Sequence, residues 1–142
     1  MGGFIETYRG MVMAWHCDHQ GHMNTVQFHG MFDQAGWHMI ARSGLTRERL
    51  HRERRGFVDI RMELAYLGEM LAGTPVLIES GVTKVGTTSL TYHSRMSNVD
   101  TGEVTATATC TTVYFDLDKR QKEPLPADLR AAFETLKVDP PR

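Results

Sequence analysis

With 142 residues, a formal net charge of −1 and 23% charged residues, the chain is long enough to bury one core. It carries no basic field of the kind that draws a protein to nucleic acid. No apolar run approaches the roughly 20 residues of a bilayer span, which excludes a membrane-spanning helix. Cys17 and Cys110 have neither metal-type nor redox-type spacing, so two free thiols in a reducing compartment are expected. The first residues lack a charged-then-apolar leader pattern. Met1-Gly2 begins like a myristoylation site, but Glu6 stands where Ser or Thr is required. The expectation is a soluble, cytoplasmic protein.

In chain order, Tyr8 to Trp15 reads as a strand. A polar stretch, Asp18-His19-Gln20-Gly21-His22-Met23-Asn24, follows. Then Phe28, Met31, Phe32, Ala35 and Met39 recur at helical spacing, predicting a helix from about Asn24 to Ser43, stopped by Gly44. Its apolar residues exceed one stripe, since Met23, Val26, Trp37 and Ile40 fall outside it. Gly30 and Gly36 interrupt it at about 1 kcal/mol each relative to alanine. A helix apolar on several sides, with small residues for close approach, fits inside a curved sheet. The charged piece from Arg47 to Arg55 predicts a short helix or exposed loop.

Four strands follow. Val58, Ile60, Met62, Leu64 and Tyr66 alternate with Asp59, Arg61 and Glu63, the period of a half-buried strand. Gly73-Thr74-Pro75 turns the chain into Val76 to Val85, Gly86 turns it into Ser89 to Ser97, and Asp100-Thr101-Gly102 turns it into Val104 to Phe115. Pro124 and Pro126 introduce a terminal helix over about 126–137, with Leu129, Ala132, Phe133 and Leu136 on one face. There is no internal repeat. The order predicts a single α+β domain over 1–142, its core about 8–116.

The chemistry concentrates where the first strand meets the helix. There a carboxylate (Asp18), an imidazole (His22) and a carboxamide (Asn24) sit beside the unpaired N–H groups of a helix start, which attract developing negative charge. Asn24 is also a favoured helix N-cap, and Asp18 can satisfy loop amides, so a purely structural role stands beside the catalytic one. His16, His19, His22, His29 and Cys17 have the residue types of a zinc site but no matching pair of ligand pairs, and no metal is expected. The nine methionines read as core filler and pocket lining. Arg52, Arg54 and Arg55 suit phosphate, although a solvated charged face explains them better.

Asp18, Gly21, His22 and Asn24 form a D-x-x-G-H-x-N pattern that resembles the hotdog-fold acyl-CoA thioesterases, the group around 4-hydroxybenzoyl-CoA thioesterase. The motif covers about ten residues, and a looser agreement of element order runs from Tyr8 to Phe115. Thr25 and Phe28 stand where family members often have Asn and Tyr. The resemblance implies a curved antiparallel sheet around one central helix, paired into a homodimer or a dimer of dimers. It implies hydrolysis of an acyl-CoA or acyl carrier protein thioester with no cofactor. Asp18 would be general base or nucleophile, and helix-start amides near Asn24 and Thr25 the oxyanion donors. His22 would orient Asp18 or a water, and Asn24 would position water, carbonyl or cap. Lys84, Gly86 and Ser89 resemble the family's hairpin beside the pantetheine channel. Two other readings remain: a hotdog hydratase or dehydratase, which pairs Asp and His in a D-x-N-P-x-H pattern absent here, and a non-catalytic acyl-CoA-binding protein.

Overall fold

The computed structural model describes residues 3–141; the Met1-Gly2 pattern lies outside them. The elements are β1 (Ile5–Met11), a 3₁₀ turn (Ala14–His16), α1 (Thr25–Ala41), α2 (Arg47–Glu53), β2 (Arg55–Tyr66), β3 (Pro75–Val85), β4 (Ser89–Asn98), β5 (Val104–Asp116), β6 (Gln121–Lys122) and α3 (Ala127–Glu134). One antiparallel sheet runs β1-β3-β4-β5-β2, with the two-residue β6 paired to β5. Alternation decides which face is covered. Val76, Ile78, Ser80 and Val82 of β3, Leu90, Tyr92, Ser94 and Met96 of β4, and Ala106, Ala108, Cys110 and Tyr114 of β5 are all buried. They pack with Phe28, Met31, Phe32, Ala35, Met39 and Ile40 of α1, so the sheet wraps the helix as expected.

Small residues line part of the inner face. Ser80 pairs with Ser94, and Ser94 with Ala108, across three strands. The buried hydroxyls satisfy one another: Ser80 Oγ lies 2.6 Å from Ser94 Oγ and 2.8 Å from Thr7 Oγ1, which donates to the Ile78 carbonyl at 3.2 Å. The helix comes close at Gly36, where a Cβ would run into the Tyr92 hydroxyl. Gly30 has open space at the same place, so the close approach expected of both glycines belongs to Gly36 alone.

Three expectations are corrected. The first strand is Ile5–Met11, not Tyr8 to Trp15: His16 Nδ1 accepts the Met13 N–H at 3.0 Å and closes a 3₁₀ turn, leaving Trp15 73% exposed. The apolar alternation of β2 does not run through one face. A bulge between Asp59 and Arg61 shifts its phase, so Phe57 and Asp59 share the inner side with Met62, Leu64 and Tyr66, while Val58 and Ile60 face solvent. The terminal helix is shorter than 126–137. Leu129 and Phe133 fill the far end of the core, and residues 136–138 then pair with β3, Val82 N–H donating to Leu136 O and Val138 N–H to Val82 O. The charged piece resolves as a helix, α2, capped by Thr46 and ended by Arg54 at φ 54°.

Gly36→Ala should gain helix propensity yet destabilise the protein by about 1–3 kcal/mol, because the added methyl meets the hydroxyl of the buried Tyr92. Urea unfolding in a Tyr92→Phe background should show a clearly smaller cost. An equal cost in both backgrounds would mean that the Tyr92 hydroxyl is not the obstacle.

Candidate active site

The motif folds as a tight reversal between β1 and α1. Cys17 and Met23 form an isolated antiparallel bridge, the Asp18 N–H donates to His22 O at 3.1 Å, and the Gly21 N–H donates to Asp18 O at 3.0 Å. Gly21 has φ +86°, a conformation that side chains disfavour, which is why glycine stands third after the aspartate. The reversal is pinned to the core from beneath. Met23 is buried, and its N–H donates to Met70 O at 2.7 Å.

Asn24 serves both ends of the junction. Its Oδ1 accepts the Val26 N–H at 2.9 Å, capping α1, while its Nδ2 donates to Asp18 Oδ2 at 3.0 Å. The cap expected from sequence is present, and the same carboxamide also holds Asp18. The other carboxylate oxygen accepts the Gln20 N–H at 2.9 Å. That backbone donor first, and the Asn24 amide second, hold the Asp18 carboxyl below its ordinary value. Asp18 is half-buried and anionic at neutral pH. Of the two helix-start amides expected to be open, the Asn24 N–H is taken by His16 O at 2.9 Å. The Thr25 N–H has no partner among the described residues, and Thr25 is one of the residues that line the His22 cleft.

That cleft holds about 340 Å³ between the α1 start and the loop after β2. Phe28 and Tyr66 meet edge to face in it, ring centroids 5.3 Å apart, beside His22, Thr25, Leu67 and Glu69. His22 does not bond Asp18; its Nδ1 lies 3.4 Å from Glu69 Oε2. Sequence reasoning did not single out Tyr66 or Glu69 as lining this cleft; Phe28, read as core, is buried and also lines it. Glu69 carries no motif signal, since the strand pairing alone brings its loop to the helix start. A second hollow of about 320 Å³, lined by Tyr8, His38 and Arg42, lies against the C-terminal end of α1, where carbonyls rather than amides are exposed.

Lys84, Gly86 and Ser89 do not join Asp18 within one chain. The motif sits at the Pro75 end of β3, through Val12 N–H to Thr74 O, and Lys84 is roughly 30 Å further along the strand at about 3.3 Å per residue. Their hairpin is held from α3 by Arg130, which donates to the Gly86 and Thr87 carbonyls at 2.6 and 3.0 Å. Gly86 is explained locally, since a Cβ there would meet Ser89 Oγ at 2.5 Å. Arg52, Arg54 and Arg55 each face a carboxylate, of Glu48, Asp118 and Glu123. Among the described residues no three His, Cys, Asp or Glu side chains gather as a metal site, and His16 Nδ1 is already engaged.

The family model for the thioesterase-like superfamily matches residues 12–133, nearly the whole chain and all of this junction. The chain belongs to the thioesterase-like superfamily. Thioester hydrolysis is therefore its reaction class, and the helix wrapped by a sheet is the hotdog fold. Solved structures agree on the fold. A 1,4-dihydroxy-2-naphthoyl-CoA thioesterase from Synechocystis superposes with a TM-score of 0.83 at 18% identity, covering 94% of this chain and 98% of its own. A predicted thioesterase from Bacillus stearothermophilus gives 0.84 at 24%, covering 98% and 100%. A Staphylococcus aureus protein solved in complex with CoA gives 0.87 at 13%, covering 100% and 93%. No curated protein sequence matches the chain.

The two duties of Asn24 can be separated in this thioesterase-like chain. Asn24→Ala should cost about 0.5–2 kcal/mol of stability, and Asn24→Ser should restore most of it, because serine caps but cannot reach Asp18 as an amide donor. In both variants the Asp18 carboxyl, followed by NMR titration, should move up towards its ordinary value. Because its native pKa is depressed, the stability it contributes is present above that ordinary value and lost as pH falls through the native one. An unmoved Asp18 titration in Asn24→Ser would show that the carboxamide does not hold the carboxylate.

Proposed function

We propose that the protein is a cytoplasmic, homo-oligomeric enzyme that hydrolyses an acyl-CoA or acyl carrier protein thioester without metal or cofactor. The observation that carries this reading is the Asn24 side chain, which caps α1 and binds Asp18 at once, so the carboxylate is tied to the start of a helix whose Thr25 amide has no partner among the described residues. Hydrolysis needs an attacking group, donors for the carbonyl oxygen and a thiolate able to leave. Asp18, held as an anion, acts as general base or nucleophile. Thr25 N–H, at the positive end of α1, receives the oxyanion. Phe28, Tyr66 and Leu67 offer an apolar wall to the acyl group. The CoA bound to one structural neighbour and the naphthoyl-CoA specificity of another support a CoA carrier. Two free cysteines, and the lack among the described residues of a helix long and apolar enough to cross a membrane, are in keeping with the cytoplasm.

The site is completed by a second copy. β2 is a twelve-residue edge strand with Val58 and Ile60 39% and 63% exposed, and Trp37 of α1 47% exposed alongside. An unpaired edge of that length and character invites pairing. Antiparallel pairing of β2 with its twofold mate sets the Arg55 end of one strand against the Tyr66 end of the other, which turns the Lys84–Ser89 hairpin of one chain towards the Asp18 end of its mate.

Asp18→Asn keeps the side-chain shape but removes the basic oxygen. Its kcat in a thiol-release assay over short, long and aromatic acyl-CoAs should fall at least about 100-fold, roughly 2.7 kcal/mol of barrier, with little change in KM. A folded Asp18→Asn protein keeping more than about a tenth of wild-type kcat would return Asp18 to a loop-capping role. Light scattering at micromolar concentration should give a dimer or tetramer, and Ile60→Lys should shift it towards monomer with loss of activity. A fully active monomer would refute the shared site.

A further inference from the structure

Glu69 has no place in the motif and no internal duty of its own, yet it stands in the cleft facing His22. Its backbone is fixed on both sides. The Leu67 and Gly68 N–H groups both donate to Thr105 O, at 2.8 and 3.1 Å, and the Met70 carbonyl accepts the Met23 N–H at 2.7 Å. Met70 itself is 1% exposed. The loop after β2 is thereby stitched both to β5 and to the residue that follows His22. This delivers the Glu69 carboxylate to within 3.4 Å of His22 Nδ1. Asp18, by contrast, already has a donor on each oxygen and does not receive the imidazole.

We infer that Glu69 is a positioning residue that holds His22 by its Nδ1 side, leaving Nε2 open as the group that carries a proton to the departing sulfur. A carboxylate facing Nδ1 favours the proton on that nitrogen, which fixes both the ring orientation and the tautomer. The inference rests on the thioester reading only in its last step. In that step water adds its oxygen to the carbonyl carbon, either directly or after Asp18 has done so, and the carbon–sulfur bond breaks with its electron pair on sulfur. The imidazolium gives sulfur a proton through Nε2 and is recharged from solvent, while the protons of the attacking water leave by way of Asp18 to solvent. One thioester and one water yield one carboxylate, one thiol and one proton to solvent. Neither Asp18 nor the Thr25 amide changes role.

Side-chain ¹⁵N spectra of the neutral imidazoles test the geometry without substrate, the His22 signal being assigned by its loss in His22→Asn. Wild type should show His22 protonated on Nδ1. Glu69→Ala should move it to the Nε2–H form that free histidine prefers, and Glu69→Gln, whose carbonyl still accepts, should keep the wild-type form. In the acyl-CoA assay Glu69→Ala should lower kcat about tenfold, a fraction of full acid–base assistance, with KM within about twofold, and Glu69→Gln should recover most of it. An Nε2–H tautomer in wild type, or a Glu69→Ala protein with unchanged tautomer and kcat, would overturn the assignment. A wild-type protein that turns over no thioester but shows the expected tautomers would overturn the thioester reading and leave Glu69 as the holder of His22.

Discussion

The junction between β1 and α1 depends on one carboxamide with two partners. Asn24 Oδ1 fixes where the helix begins, and Asn24 Nδ2 fixes where the Asp18 carboxylate stands relative to that beginning. Neither bond is large alone, since a cap contributes about 1 kcal/mol and a hydrogen bond to a charged group about 1.5–3 kcal/mol. Their importance is geometric. The anion of Asp18 and the first turn of α1 keep a constant relation because a single rigid group spans them, from Asp18 Oδ2 to the Val26 N–H. The buried Met23, tied to Met70, keeps the group from drifting. Small fixed dipoles directed at one point act on developing charge without reorganising, which is where such a site gains its leverage.

The sheet supplies the second constraint. Its inner face is mostly apolar, with small buried residues at Ser80, Ser94 and Ala108 across three strands, and α1 comes close at Gly36 against Tyr92. The β2 bulge then turns two aliphatic side chains away from that core at the open edge. In a monomer this arrangement is a liability, whereas in the proposed dimer it is the contact. The same pairing accounts for a hairpin, 84–89, that lies far from Asp18 in its own chain. The C-terminal segment closes the other end: Leu129 and Phe133 enter the core, while Arg49 to Asp128 and Arg55 to Glu123 fasten the segment outside it.

Much of this was legible from residues alone. Helical spacing from Phe28 to Met39 located α1 within two residues, and its surplus of apolar side chains implied a wrapping sheet. The D-x-x-G-H-x-N pattern located the reversal, because its glycine is required by a positive φ and its asparagine by the cap. What escaped has a common cause. The bulge in β2 is set by pairing with β5, not by its own alternation. The end of β1 is set by a histidine side chain competing for a backbone donor, and Trp15 is apolar yet exposed because of it. Glu69 and Tyr66 reach the helix start through a strand order that no local pattern encodes. Lys84, Gly86 and Ser89 are placed near the motif by resemblance, and a single chain keeps them apart.

The central claim is that the thioester carbonyl sits between the Thr25 amide and the Asp18 carboxylate. A crystal structure with an acyl-CoA analogue in which a methylene replaces the thioester sulfur tests it directly. The carbonyl oxygen should lie about 3 Å from Thr25 N, with an Asp18 oxygen or a water it holds facing the carbonyl carbon and the acyl group against Phe28 and Tyr66. A ligand whose carbonyl lies away from Thr25, with Asp18 still bonded only to Gln20 and Asn24 and turned from the carbon, would contradict it.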